Sequence, residues 1–309
     1  MDNFRTPIKI PPFENKITYA SKLFFIGSCF SENIFKKVNG LRFNAQYNPY
    51  GVLFNPVSIK KALQEIIEKK QYTANDLVLN DELYHSMHHH GKFSTTSQKE
   101  TLDLINNNIN ESHTFLKEAT YIFITIGTAW VYEYQNEIVA NCHKIPNTEF
   151  NKKLLSFNEV KQCLTDIKNQ LKQFNANVHL IFTLSPVRHL KDGMQENSIS
   201  KSILRTAIAE TQANYFPSFE IMMDDLRDYR FYGADMLHPN ETALDYIFEQ
   251  FSHCYFNEET KTLMQRIQKY NTALSHRTLH AGTLATKKHQ EFLEREGREI
   301  GEILKLKRQ

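Results

Sequence analysis

The chain has 309 residues, enough to bury a large core, with 37 basic against 35 acidic residues and a formal net charge of +2. That balance argues against a nucleic-acid or anionic-membrane partner, and 22 Phe with 14 Tyr argue against disorder. The apolar runs are strand-sized, so no membrane span is expected, and the four cysteines form no Cys-x-x-Cys pair or evident disulfide framework.

Residues 1–20 carry prolines and read as an extended lead-in. Met1 to Pro12 lacks the apolar core of a secretory signal peptide, so the expected location is the cytoplasm, with export open if the natural chain begins earlier. Leu23 to Ile26 is a short aromatic and β-branched run, suited to a strand buried on both faces of a parallel sheet. Gly27 permits a sharp turn, and Ser31-Glu32-Asn33 before Ile34, Phe35 and Val38 marks a helix start. Ser28 is thereby placed in a strand-to-helix turn at the carboxyl edge of the sheet, where open α/β sheets bind their ligands. A simple helix cap is the plainer role for a serine there.

Asn44 to Pro56, with two Asn-Pro dipeptides and Gly51, reads as a structured loop, and Asn55-Pro56 opens a helix with Ile59, Ala62, Leu63, Ile66 and Ile67 on its core face. Tyr84 to Phe93 is histidine-rich and lacks a period. His85, His88, His89 and His90 are read as a polar loop at the rim of a site rather than a metal centre, because no acidic residue completes a ligand spacing. Asn106 to Asn110 reads as a polar break. Tyr121 to Ile126 is a second buried strand, ending in Gly127-Thr128-Ala129-Trp130.

Ser156 to Glu159 is a capping box ahead of a helix with Val160, Leu164, Ile167 and Leu171. Val178 to Leu184 is the next strand, closed by Ser185-Pro186. A helix over 199–214, a short strand around Phe219–Met223, a loop with Asp235-Met-Leu-His238 and a last core helix with Leu244, Ile247, Phe248 and Phe251 follow. This alternation predicts a three-layer α/β/α sandwich with a mostly parallel sheet. Beyond residue 255 the composition turns charged and helical. The expected division is a domain over 1–255 and an amphipathic extension over 256–309, whose helices offer a surface for oligomer formation.

A serine hydroxyl becomes a nucleophile when a base takes its proton. His238 is the candidate base, and Asp235 three residues earlier is spaced to hold its Nδ1. Cys29, at the same helix start, is the alternative nucleophile. Arg188 is a candidate for an anionic substrate group and Trp130 for stacking on a sugar, with His89 and His90 at the rim.

Ile26-Gly-Ser-Cys-Phe-Ser31 resembles the signature of the GSCFA domain family, a branch of the SGNH/GDSL hydrolases, and Asp235-Met-Leu-His238-Pro239 resembles the Asp-x-x-His block of that superfamily. The likeness extends over most of residues 20–255, including Asn48 to Pro56 and Ser185-Pro186. It implies a flavodoxin-like fold and an esterase-type site with Ser28 as nucleophile, His238 as base and Asp235 as its orienter, without cofactor or metal. The superfamily's Gly-x-Asn-Asp block is replaced here by Gly127-Thr128-Ala129-Trp130, so the oxyanion donors fall to Gly51 with Asn48 or Thr128. The expected function is hydrolysis of an ester or O-acetyl group, on a small molecule or an acylated carbohydrate. A ligand-binding protein on the same scaffold and an O-acyltransferase are the alternatives.

Overall fold

The computed structural model describes residues 5–276 and 283–308. The chain begins its regular structure with β1 (Lys22–Gly27), α1 (Cys29–Gly40), β2 (Asn44–Tyr47) and α2 (Pro56–Glu68). A hairpin, β3 (Val78–Asn80) and β4 (Leu83–His85), precedes α3 (Gln98–Lys117) and β5 (Tyr121–Ile126). Next come three short strands, β6 (Trp130–Tyr134), β7 (Glu137–Val139) and β8 (Asn151–Leu154), then α4 (Phe157–Phe174) and β9 (His179–Leu184). The last elements are α5 (Met194–Glu210), β10 (Asn214–Phe216), α6 (Ser218–Glu220), α7 (Glu241–Tyr255), α8 (Glu258–Ser275) and α9 (Leu284–Lys307).

Five strands form the central sheet in the order β10-β9-β5-β1-β2, all parallel. By chain order within the sheet this is 2-1-3-4-5, the flavodoxin-like arrangement, with its switch point between β1 and β5. Side chains alternate across the sheet with the period of two that a strand imposes. Phe24, Ile26, Ile122, Ile124, Phe182 and Leu184 face the layer of α2, α3, α4 and α5. Leu23, Phe25, Tyr121, Phe123 and Ile181 face the layer of α1 and α7, which Leu263, Met264, Ile267, Ile300 and Leu304 of α8 and α9 join. Phe25 and Phe123, paired in register across β1 and β5, stack with ring centroids 5.0 Å apart. The result is the expected three-layer α/β/α sandwich with helices added at its carboxyl-terminal end.

Local signals account for much of this. Asn55 caps α2 by accepting from Ser58 N at 2.8 Å, with Pro56 in the first turn. Ser156 and Glu159 close the reciprocal capping box of α4. Two expectations are corrected. Asn106 to Asn110 lies inside α3, because Ile105, Ile109, Ser112 and Leu116 form a buried stripe and Asn106 uses its amide on the backbone N and O of Tyr72. The strand expected at Phe219–Met223 is helical, α6 running into a π-turn over Ile221–Asp225, and the edge strand lies earlier, at Asn214–Phe216. There Ser218 Oγ donates to Leu184 O at 2.8 Å, which folds the chain away from the sheet immediately after β10.

Candidate active site

Gly27 ends β1 with φ +134, and a Cβ there would sit 2.0 Å from Thr125 O. Only glycine fits so close to the neighbouring strand. Ser28 follows as the N-cap of α1, with φ −69 and ψ 173, and its backbone N donates to Thr125 O at 3.0 Å. The cap bond is made by the backbone, Ser31 N donating to Ser28 O at 2.9 Å, and the hydroxyl makes none. Ser28 is fully enclosed, and its Oγ has no hydrogen-bond partner among the described residues. The plain capping role therefore does not explain the serine.

Asn48 stands beside it. It follows β2 in a left-handed conformation, φ 38, and its backbone N donates to Phe25 O at 2.8 Å. Gly27 N donates to Asn48 Oδ1 at 2.8 Å. Because that partner is a donor, the carbonyl end of the amide must face it, and Nδ2 points the other way. Nδ2 is buried with no hydrogen-bond partner among the described residues. The turn that holds Ser28 and an amide donor unpaired among the described residues thus meet through one glycine N–H.

Behind Asn48 lies the histidine segment. Gly51 N donates to Asn48 O at 2.7 Å, which engages the N–H of that candidate, and Gly51 adopts φ +79 with its α-carbon pressed against His90. A Cβ there would meet His90 Cβ at 2.1 Å. His90 N donates to Tyr50 O at 2.8 Å, and the His89 ring stacks on Tyr50 at 4.0 Å. His89 is 1% exposed, with Nδ1 against Ser86 Oγ at 2.9 Å, and burial pushes its pKa far down, so it is neutral. Tyr50 and Tyr72 hydroxyls donate to the buried Glu65 carboxylate at 2.9 and 2.7 Å. His85 stacks on His143 at 4.3 Å, and burial brings His143 down to about 4. Among the described residues no group of three or more His, Cys, Asp or Glu is arranged to hold a metal ion. The segment buttresses the Asn48 loop from beneath.

Across the switch point, Gly127 N and Thr128 N both donate to Phe54 O, at 2.7 and 3.0 Å. Thr128 Oγ1 accepts from Trp130 N at 3.0 Å and meets Ser200 Oγ at 3.2 Å, so both donors of Thr128 face structural partners. Trp130 opens β6, with Lys152 Nζ 4.3 Å above its ring.

The second cluster lies on the loop before α7. Asp235 Oδ1 accepts from Leu237 N at 2.9 Å and His238 N at 3.0 Å, while Oδ2 meets His238 Nδ1 at 2.6 Å. These backbone N–H groups, His238 first, and then the imidazole hold the Asp235 carboxyl well below the usual carboxylate range. The imidazole is thereby fixed through Nδ1 with Nε2 left outward, and its side chain is 50% exposed. Arg188 ties this loop to the end of β9. Its backbone N donates to Leu237 O at 3.4 Å, its Nη2 donates to Met236 O, and its guanidinium lies 4.2 Å over Tyr232 and 5.3 Å over Tyr229.

Ser28 is joined to Asn48, and Asp235 and His238 are joined to Arg188. No hydrogen bond links Ser28 Oγ to His238. A further residue of this edge, unnoticed in the sequence, is Lys201 of α5, 3% exposed, whose Nζ donates to Ser185 O at 2.7 Å. Its signal was the spacing Asn197, Ser200, Lys201, Leu204, Ala207 and Ile208, which puts polar groups on a buried helical stripe.

A parallel sheet in this strand order, with enclosed and unpaired polar groups at its switch point, defines a doubly wound α/β protein with a candidate ligand site at the carboxyl edge. Residues 22–251 match the model of the GSCFA family, and the chain belongs to that family. The match spans both clusters and ends before α8. A comparison with curated proteins finds no match.

Proposed function

We propose that the protein is a serine hydrolase of the SGNH type, an esterase or O-deacetylase for which acylated carbohydrate is the substrate class to test first. The observation that carries this reading is the pair of enclosed, unpartnered groups, Ser28 Oγ and Asn48 Nδ2, on either side of Gly27. Buried polar atoms without partners are uncommon and call for an explanation, and a nucleophile beside an amide donor supplies one. In this reading His238 Nε2 takes the Ser28 proton as Oγ attacks the ester carbonyl, and Asp235 stabilises the imidazolium. The carbonyl oxygen, now negative, is received by Asn48 Nδ2. Ser28 N, Gly51 N and Thr128 N are engaged by backbone acceptors, which leaves the asparagine as the favoured donor among the candidates. The alcohol leaves with the proton from His238, and water releases the acyl group by the same steps in reverse.

Ser28 is enclosed while His238 is half exposed, so the reaction requires the Asp235–His238 loop to close on an opened Ser28 when substrate binds. The same enclosure favours a second reading, a ligand-binding protein on a hydrolase scaffold. A fluorophosphonate probe and a short acyl ester, each tried with the wild type and Ser28→Ala, separate the two. Labelling and turnover that depend on Ser28 support the hydrolase. Equal ester rates for both proteins, with no labelling of Ser28, would sink it.

A further inference from the structure

Between the sheet and the layer of α1 and α7, directly behind the Ser28 turn, lies a cavity with room for about one water-sized group. The turn itself forms part of its wall. Phe30, Ser31 and Ile34 of α1 line it, as does Thr125, whose backbone O accepts from Ser28 N at 3.0 Å. Thr125 is the register partner of Gly27, and Phe25 with Phe123, the pair two residues back on the same face of β1 and β5, line it too. Phe251 closes it from α7, the helix into which the Asp235–His238 loop leads.

The lining is apolar apart from three hydroxyl-bearing residues. Thr183 Oγ1 is engaged, donating to Phe216 O at 2.7 Å and meeting Ser218 Oγ at 2.7 Å. Ser31 differs. It is 1% exposed and its backbone N donates to Ser28 O at 2.9 Å, yet its Oγ has no hydrogen-bond partner among the described residues. A buried hydroxyl in that state calls for an explanation, and the residue that carries it borders open space. An occupant for this space is small, apolar over most of its surface, and brings one hydrogen-bond acceptor for Ser31. A two-carbon acyl group fits that description.

We propose that this cavity is the acyl subsite of the Ser28 site and that it takes an acetyl group, with Ser31 Oγ as its polar contact. Under the hydrolase reading, on which this part rests, the methyl enters beside Phe30 and Ile34 as Ser28 Oγ bonds to the carbonyl carbon. The carbonyl oxygen supplies the acceptor that Ser31 lacks, and its second lone pair is left for Asn48 Nδ2. The alcohol leaves with the proton taken up by His238, and water then releases acetate from Ser28. Longer acyl chains collide with Phe25, Phe123 and Phe251, which makes the enzyme a deacetylase rather than a general esterase.

Chain-length selectivity tests this, with p-nitrophenyl acetate, butyrate and hexanoate, the full chain, and Ser28→Ala as the blank. In the wild type kcat/KM falls by roughly a hundredfold from acetate to butyrate, since methylenes that do not fit a pocket cost about tenfold or more each. Ile34→Ala widens the cavity and brings butyrate to within about tenfold of acetate. Ile34→Val shifts the ratio in the same direction by less, and serves if the alanine variant fails to fold. Ser31→Ala lowers kcat/KM for acetate by about 10² as a donor is lost, and leaves the butyrate-to-acetate ratio in place. Ser28-dependent rates that are equal for acetate and hexanoate overturn the subsite and leave the hydrolase reading standing. So does a butyrate-to-acetate ratio that neither Ile34 variant moves. If neither the wild type nor Ile34→Ala turns over any of the esters in a Ser28-dependent way, it is the hydrolase reading that fails, and the subsite falls with it.

Discussion

The carboxamide of Asn48 is pinned to the backbone of Gly27: Oδ1 accepts the Gly27 N–H at 2.8 Å, and this contact alone sets the direction of the unpaired Nδ2. Removing the side chain has two separable effects. Asn48→Ala leaves the buried Gly27 N–H without an acceptor, at a cost of about 1–3 kcal/mol in stability. Under the hydrolase reading it also removes the oxyanion donor, and kcat falls by about 10²–10³ with KM little changed. Asn48→Asp keeps the acceptor for Gly27 but no donor, so it restores much of the stability and none of the rate. Urea denaturation beside steady-state kinetics checks both, and an Asn48→Asp enzyme with wild-type kcat would remove the asparagine from the mechanism.

Asp235 accepts two backbone N–H groups and one imidazole N–H, and its pKa is lowered accordingly. A carboxyl whose folded pKa lies below its unfolded value contributes stability above about pH 4, and this contribution is lost as the pH falls toward the folded value. Over the neutral range Asp235 is therefore always ionised. Asp235→Asn puts an amide where the imidazole needs an acceptor, and under the hydrolase reading kcat drops by about 10²–10⁴ while the melting temperature changes little, the side chain being exposed. A ratio of kcat values near one would exclude Asp235 as the orienter.

What could be read from the sequence was what is local. The Gly27-Ser28 turn follows from an apolar run ending in glycine, and Asp235 meets His238 because three residues of one loop suffice to bring carboxylate to ring. The sheet and its layers follow from strand-sized runs alternating with helical stripes. Long-range pairing was out of reach. Asn106 to Asn110 looks like a break until Tyr72, far away in sequence, supplies partners for Asn106. Lys201 looks like any surface lysine until Ser185, at the end of β9, supplies the acceptor for its buried Nζ. Arg188, at a strand end, reads as a substrate contact, and the sequence gives no sign of the distant partners its guanidinium finds in Met236 O and Tyr232.

That position of Arg188 makes it a clamp on the loop that carries His238. Arg188→Ala removes the bond to Met236 O and the stacking on Tyr232, together about 1–2 kcal/mol of local restraint. Amide exchange at residues 235–238 becomes about tenfold faster, and under the hydrolase reading kcat falls by a similar factor while global stability holds. Arg188→Lys does not rescue, since a lysine cannot lie flat on the tyrosine and reach the carbonyl together. Exchange rates equal to wild type in Arg188→Ala would show that the loop is held by other contacts.

The histidine segment under Asn48 carries the last prediction. His89 is neutral and enclosed, and His143 is brought down to about 4 by burial. Both bind a proton in the unfolded chain near pH 6.5 but resist doing so when folded. The contribution of each is complete above about pH 6.5. It diminishes as the pH falls, because the unfolded state takes up protons that the folded state refuses. For His143 the decline ends near pH 4, where the folded protein is protonated as well. The unfolding free energy from urea titrations should therefore slope downward between pH 6.5 and 4, and His143→Gln should flatten part of that slope while keeping a side-chain donor toward Ser86 O. Because the same segment holds the Asn48 loop through Tyr50 O and Gly51, activity should decline in the same pH interval in wild type and less steeply in the variant. A stability profile that is flat from pH 6.5 to 4 would mean that these rings are charged in the folded protein, and the support of the Asn48 loop would then need another source.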